Sequence, residues 1–152
     1  MENRFNNLTS KEWLPFQKSW SIVESDESLF RDNLRFFTLS SLEPRSVFYS
    51  GPHRTQFQTI AESLQLLVTD DYQTSTQFAM IDLRRDIQNC HSYADIKVVC
   101  DRFLNQIKQL SMSVIDRRFI CVLAQNLYID GKLVPVAWGL GKSMASIISL
   151  KD

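Results

Sequence analysis

The chain carries no excess of either charge, no long apolar run and only three cysteines, and each lack removes a class of protein. Lys plus Arg and Asp plus Glu both number 17, which gives a net charge of zero. Proteins that grip nucleic acid through many phosphate contacts carry a basic excess. Only the local pairs Arg84-Arg85 and Arg117-Arg118 could form a basic patch, so non-specific hold on DNA is expected to be weak. No stretch approaches the roughly 20 apolar residues that cross a bilayer. The opening, Met1-Glu2-Asn3-Arg4-Phe5-Asn6-Asn7, has no hydrophobic segment of signal-peptide type. A cytoplasmic protein without a membrane partner is the expectation. Cys90, Cys100 and Cys121 are odd in number and widely spaced, a pattern of reduced, buried thiols rather than of a disulfide framework. There is no internal repeat and no low-complexity segment.

What is present suits one globular core. At 152 residues the chain has the length of a single domain. Thr9-Ser10-Lys11-Glu12 has the capping-box pattern and predicts a short helix that Pro15 disturbs. Leu29, Phe30, Leu34 and Phe37 fall at helical spacing, predicting a helix over 27–37. Together these make residues 1–45 a helical segment packed on the rest. Ser40-Ser41-Leu42-Glu43-Pro44 reads as a loop, and Ser46-Val47-Phe48-Tyr49-Ser50 as a short strand broken by Gly51-Pro52. A helix over 55–63 leads to Leu64-Gln65-Leu66-Leu67-Val68, a compact apolar run read as a buried strand.

The clearest element is a helix over 93–110. Ile96, Val99, Cys100, Phe103, Leu104, Ile107 and Leu110 all keep to one face, with Ser92 and Asp95 placed to cap its start. Phe119-Ile120-Cys121-Val122-Leu123-Ala124 predicts a second buried strand running on toward Tyr128 and Ile129, and Asp130-Gly131 a turn. A closing helix over 137–150 should place Trp138, Met144, Ile147 and Ile148 on its apolar side. Strand, helix, strand, helix in this order predicts an α/β protein with a mostly parallel sheet and helices on its faces. The runs at 66–68 and 119–123 are expected to be neighbouring parallel strands joined by the 93–110 helix, with Phe103 against the sheet.

Four separated segments resemble the S-adenosylmethionine-dependent DNA methyltransferases that modify the amino group of adenine or cytosine. Lys11-Glu12-Trp13-Leu14-Pro15-Phe16-Gln17-Lys18-Ser19-Trp20 is similar to an opening found in that family. Leu66-Leu67-Val68 followed by Thr69-Asp70-Asp71-Tyr72 stands where its catalytic loop follows a buried strand. Asp86-Ile87-Gln88-Asn89 with Tyr93-Ala94-Asp95 precedes the long helix. Gly131-Lys132-Leu133-Val134-Pro135-Val136-Ala137-Trp138 matches a turn further on.

The resemblance implies a partial Rossmann-like methyltransferase sheet. It assigns Thr69, Asp70, Asp71 and Tyr72 to catalysis, with Tyr72 stacking on a flipped base. It assigns Lys18, Ser19, Trp20, Tyr49, Ser50 and Gly51 to the S-adenosylmethionine site. The departures are physical. Asp70 and Asp71 replace two prolines, adding negative charge and backbone freedom where a DNA backbone would approach. Val47-Phe48-Tyr49-Ser50-Gly51-Pro52 keeps one glycine of the cofactor turn, and only about 20 residues separate it from Thr69-Asp70-Asp71-Tyr72, too few for the usual intervening elements.

A degenerate, non-catalytic binding or interaction module is therefore the leading expectation. No cofactor is expected unless the chain is active, in which case it is S-adenosylmethionine. The alternative is a methyltransferase, or a fragment of one, completed by another chain. Partners under these readings are DNA, a protein subunit or a second copy of the chain. A third reading drops the family and has the stripe of Trp13, Phe16 and Trp20 serve protein contact.

Other signals read more plainly. Gly139-Leu140-Gly141-Lys142-Ser143 has Val136 where a phosphate loop needs glycine, so it belongs to a helix. Cys90-His91 and Cys100 lack the spacing of a metal site, and none is expected. His53 reads as a solvated loop histidine, and Asp70-Asp71 as a solvated loop rather than a Mg²⁺ pair.

Overall fold

A computed structural model of the chain describes residues 25–38, 46–71, 76–113 and 119–147. The sequence of elements is α1 (Asp26–Thr38), β1 (Ser46–Ser50), α2 (Arg54–Ser63), β2 (Leu67–Thr69), β3 (Thr76–Asp82), α3 (Arg84–Gln88), α4 (Tyr93–Ser113), β4 (Phe119–Leu123), β5 (Leu127–Ile129), β6 (Lys132–Val134) and α5 (Val136–Ala145). The fold is α/β. Four strands form one parallel sheet in the order β2-β1-β3-β4, and β5 and β6 make a separate antiparallel hairpin.

Strand alternation splits the core into two layers, because successive side chains leave opposite faces of a sheet. Val47, Tyr49, Phe78 and Met80 face α1 and α2, where they pack with Phe30, Leu34, Phe57 and Ile60. Ile81 faces the other way, into a cluster with Ile87, Val99, Phe103, Ile107 and Leu140 from α3, α4 and α5. The sheet is thus covered by helices on both sides. Aromatic rings fill the first layer: Tyr49 stacks on Phe57 at 4.7 Å, and Phe30 meets both edge-on at 5.6 Å. No helix among the described residues is long and apolar enough to cross a membrane.

Local chemistry sets the element ends. Asp26 and Glu27 lie in the first turn of α1 and Arg35 in its last, each sign matching the helix dipole. Ser25 Oγ accepts from the Ser28 amide at 3.2 Å. Helix α4 starts on a reciprocal capping box: Ser92 Oγ accepts from the Asp95 amide at 3.2 Å, and Asp95 Oδ2 accepts from the Ser92 amide at 3.1 Å. Asp130 (φ 50°) and Gly131 (φ 74°) supply the two positive angles of the β5–β6 hairpin turn.

The expected neighbours turn out to be the two outer strands. Among the described residues β2 pairs only with β1, and β4 only with β3, so the 66–68 and 119–123 segments share direction but not hydrogen bonds. The strand between β1 and β4 is β3, and α4 joins β3 to β4 rather than β2 to β4. β3 is buried along nearly its whole length. Buried on both faces, Phe78-Ala79-Met80-Ile81 shows no alternation of polarity, and its Ala and Met favour helix, so no period-2 signal marks it.

The buried strand expected over 64–68 is also shifted. Leu64 and Gln65 close α2, with Gln65 at φ 61°, and β2 is a short edge strand whose Leu67 is 63% exposed. Trp138 departs from expectation too. It is 66% exposed with the Lys142 ammonium 5.0 Å over its ring, while Val136, Leu140 and Met144 form the buried stripe of α5. Gly139 and Gly141 lie inside α5, in agreement with the helical reading.

Candidate functional site

The chain reverses its direction of travel across the sheet between β1 and β3. From β1 it steps through α2 to β2 on one side. It then returns past β1 to build β3, and steps through α4 to β4 on the other side. Because α2 and α4 cover opposite faces, the carboxyl ends of β1 and β3 are left with an open crevice, the place where open α/β sheets bind ligands. β1 ends in Ser50-Gly51 and β3 in Asp82.

Asp82 is the anchor of this edge. Its side chain is 1% exposed and receives a two-pronged contact from Arg84, with Nε to Oδ1 at 2.9 Å and Nη2 to Oδ2 at 2.8 Å. The Arg84 backbone amide also donates to Oδ1, at 3.2 Å. Tyr49 Oη donates to Oδ2 at 3.4 Å and itself accepts from the His53 amide at 3.0 Å. Arg84 reaches on through Nη1 to Asp26 Oδ1 at 2.8 Å, and His53 Nε2 lies 3.5 Å from Asp26 Oδ2. The start of α1, the β1–α2 turn and the end of β3 are thus tied together by one polar chain. His53 is a half-buried member of it, not the solvated loop histidine its neighbours suggested.

The ionisations follow from this geometry. Burial alone would raise the Asp82 carboxyl, but the Arg84 side-chain and backbone hydrogen bonds and its charge outweigh it and hold the group below the ordinary carboxylate range. Tyr49 is pushed up to about 12, first by burial; the His53 amide opposes this and the Asp82 charge adds to it. A raised folded-state pKa contributes stability that is complete below the unfolded value of about 10 and is lost as pH climbs toward the folded one. The expected outcome of an ultraviolet alkaline titration is a tyrosine phase near 12 that vanishes in Tyr49→Phe, accompanied by falling stability above pH 10 in the parent alone. A phase unchanged by that substitution would contradict the burial of the Tyr49 hydroxyl beside Asp82.

Two clefts open beside Asp82. One, of about 330 Å³, lies between the Ser50-Gly51-Pro52 turn and α4, with Asp86 from α3 and Arg102 and Gln106 from α4 on its walls. The other, of about 240 Å³, lies toward α1 and includes His53, Arg84, Arg85 and Gln125. Gly51 is required on the wall of the larger one. A Cβ there would stand 2.6 Å from Tyr49 Oη and 2.8 Å from Asp82 Cβ.

The residues expected from sequence divide sharply. Ser50 and Gly51 line the larger cleft, and Tyr49 braces it from the core through Asp82. Thr69 is buried at the end of β2 with its hydroxyl donating to the Val47 carbonyl at 3.4 Å. Asp70 is exposed and pairs with Arg54 at 2.7 Å, and Asp71 is exposed. None of these three reaches the clefts. Tyr72, Lys18, Ser19 and Trp20 lie outside the described residues, as do Trp13 and Phe16 of the aromatic stripe and Arg117-Arg118. Arg84 is engaged by two carboxylates and so gives no free basic patch with Arg85.

Sequence reading missed Asp26, Asp82, Asp86 and Arg102. The usable signal was an apolar run closed by an acid, Ala79-Met80-Ile81-Asp82, which is how a buried strand delivers a polar group to a sheet edge. All three thiols are pushed upward, Cys121 to about 11, chiefly by burial, which makes them poor nucleophiles. Cys90, Cys100 and Cys121 are all free. No three His, Cys, Asp or Glu side chains among the described residues form a metal-binding group. No family model, curated protein or solved structure matches the chain.

Proposed function

We propose that the chain is a small-molecule binding module whose ligand sits in the crevice outside the carboxyl ends of β1 and β3. The observation that carries this reading is the larger cleft at the reversal point, walled by the Ser50-Gly51-Pro52 turn and by polar side chains of α3 and α4. Methyl transfer fits the geometry less well. Two of the polar groups that the family resemblance assigns to the catalytic loop are already engaged, Thr69 by the Val47 carbonyl and Asp70 by Arg54.

A second reading, an S-adenosylmethionine-dependent DNA methyltransferase completed by another chain, draws on one feature: Ser50 and Gly51, assigned to the cofactor by resemblance, line the cleft.

Calorimetric titration of the chain with S-adenosylmethionine, adenosine and free amino acids, repeated on Ser50→Phe, tests both. Ser50 lines the cleft without lying in the core, so a phenyl ring there blocks the site and spares the fold. One-site binding lost in Ser50→Phe is the expected outcome. Binding that survives the substitution, or none with any of the compounds, overturns the crevice as the functional site. Micromolar S-adenosylmethionine binding together with methyl transfer to DNA would establish the second reading instead.

A further inference from the structure

We infer that the cleft between the β1–α2 turn and α4 is built for a free α-amino acid with an apolar side chain, held by its zwitterionic head between Asp86 and Arg102. The inference rests on the crevice being the ligand site and names what it takes. Residues 99, 102, 103 and 106 fall on one face of α4, at the spacing that brings neighbours together on a helix. That face supplies two kinds of surface. Val99 and Phe103 are buried and, with Leu83 between β3 and α3, give the cleft an apolar floor.

Arg102 and Asp86 stand exposed on the rim, one on α4 and one on α3. Among the described residues neither side chain makes an ion pair or hydrogen bond, with each other or with any neighbour. This sets them apart from Asp26, Asp82 and Arg84 in the neighbouring polar cluster, which are mutually satisfied.

An unpaired acid and an unpaired guanidinium facing one cleft complement a ligand that carries both signs. The guanidinium fork suits a carboxylate, and Asp86 accepts from an ammonium. The floor beneath them accepts the side chain, and Gln106 adds a neutral polar group at the rim. Size points the same way. A volume of about 330 Å³ lies at the small end of ligand sites, which run from roughly 300 to 1,000 Å³, and suits an amino acid better than a nucleotide-bearing cofactor. Asp82 contributes shape and not charge, since both its oxygens are taken by Arg84 and Tyr49.

The experiment is titration of the ¹⁵N-labelled full chain, followed by amide shifts. The ligands are L-leucine, L-methionine and L-phenylalanine, with phenethylamine, 3-phenylpropanoate, S-adenosylmethionine and L-glutamate as comparators. The expected result is saturable shifts at Ser50, Gly51 and Arg102 with one or more of the three apolar amino acids. The two single-charge analogues should bind at least roughly tenfold more weakly, the scale of one lost charged hydrogen bond. Arg102→Gln and Asp86→Asn, both at exposed positions, should each weaken binding by roughly ten- to a hundredfold while the melting temperature stays put.

Amine-only or acid-only analogues that bind as well as the amino acid would overturn the zwitterion assignment. So would affinity unchanged in Arg102→Gln or Asp86→Asn. Preference for S-adenosylmethionine with no response to free amino acids would leave the crevice as a site but remove this ligand class. Silence toward every compound would remove both.

Discussion

Phe103→Ala is expected to destabilise the chain by about 3–5 kcal/mol, enough to unfold much of a domain of ordinary stability. Phe103 is 1% exposed and sits where α4 meets the sheet, in one cluster with Ile81 of β3, Ile87 of α3 and Leu140 of α5. Removing the ring forfeits its transfer free energy and leaves a hole that four separate elements cannot close by moving one of them. Phe103 is also part of the floor of the amino-acid cleft, so the cavity would open toward solvent. Urea unfolding followed by circular dichroism measures the loss; a change under about 1 kcal/mol would mean that α4 does not pack as described. Phe103→Leu retains most of the volume and should recover the larger part of the stability.

Asp82→Ala is the second large effect, about 3 kcal/mol. Breaking a buried charge pair costs about 3–5 kcal/mol, and the lower end applies because Arg84 keeps Asp26 and is 29% exposed. The loss has a pH signature whose sign follows from the depressed Asp82 pKa. A carboxyl whose folded pKa lies below its unfolded value of about 3.9 contributes stability that is complete above that value and disappears as pH falls through the folded one. The parent chain should therefore lose stability on acidification below about pH 4. Asp82→Ala should start lower at neutral pH and fall less on acidification. Urea midpoints at pH 7 and pH 3 for both chains give the comparison, and parallel acid losses would show that Asp82 is not the group responsible. Arg84→Met in the Asp82→Ala background should cost little more, since its main partner is already gone.

Most helices and the positions of β1 and β4 were legible because each carries its own local signal. The 93–110 stripe, the Ser92/Asp95 cap and the Asp130-Gly131 turn depend on residues within a few positions of one another, and all three are present as read. β1 was legible at its full extent. β3 was not, although it is the middle of the sheet. A strand flanked by strands and covered by helices on both faces has no wet side, so nothing in its polarity pattern distinguishes it from a stretch of buried helix. Losing β3 then misplaced β2 and β4 as neighbours.

The site was legible only where it coincides with a turn. Ser50 and Gly51 were named because the turn after β1 resembles a glycine-bearing cofactor turn, whereas Asp82, Asp86 and Arg102 come from three different elements and meet only once β3 is in place. Trp138 was misplaced by its hydrophobicity alone. Its ring projects outward under the Lys142 ammonium, an arrangement in which an aromatic side chain remains in water.

The β2-β1-β3-β4 order also sets the route by which the chain can assemble. Ser46 meets Leu67 and Phe78 meets Phe119, so the ladders of the main sheet join residues roughly twenty to forty positions apart, and only the β5–β6 hairpin closes locally. Loop-closure entropy must be met before those ladders return any stabilisation. The hairpin and α4 can form on the microsecond scale, while the sheet waits for β1 to find partners on both sides. During that interval β3, the most apolar strand, has neither neighbour. Whatever shortens the interval, including early docking of α4 through Phe103, protects the nascent chain from pairing with another copy of itself.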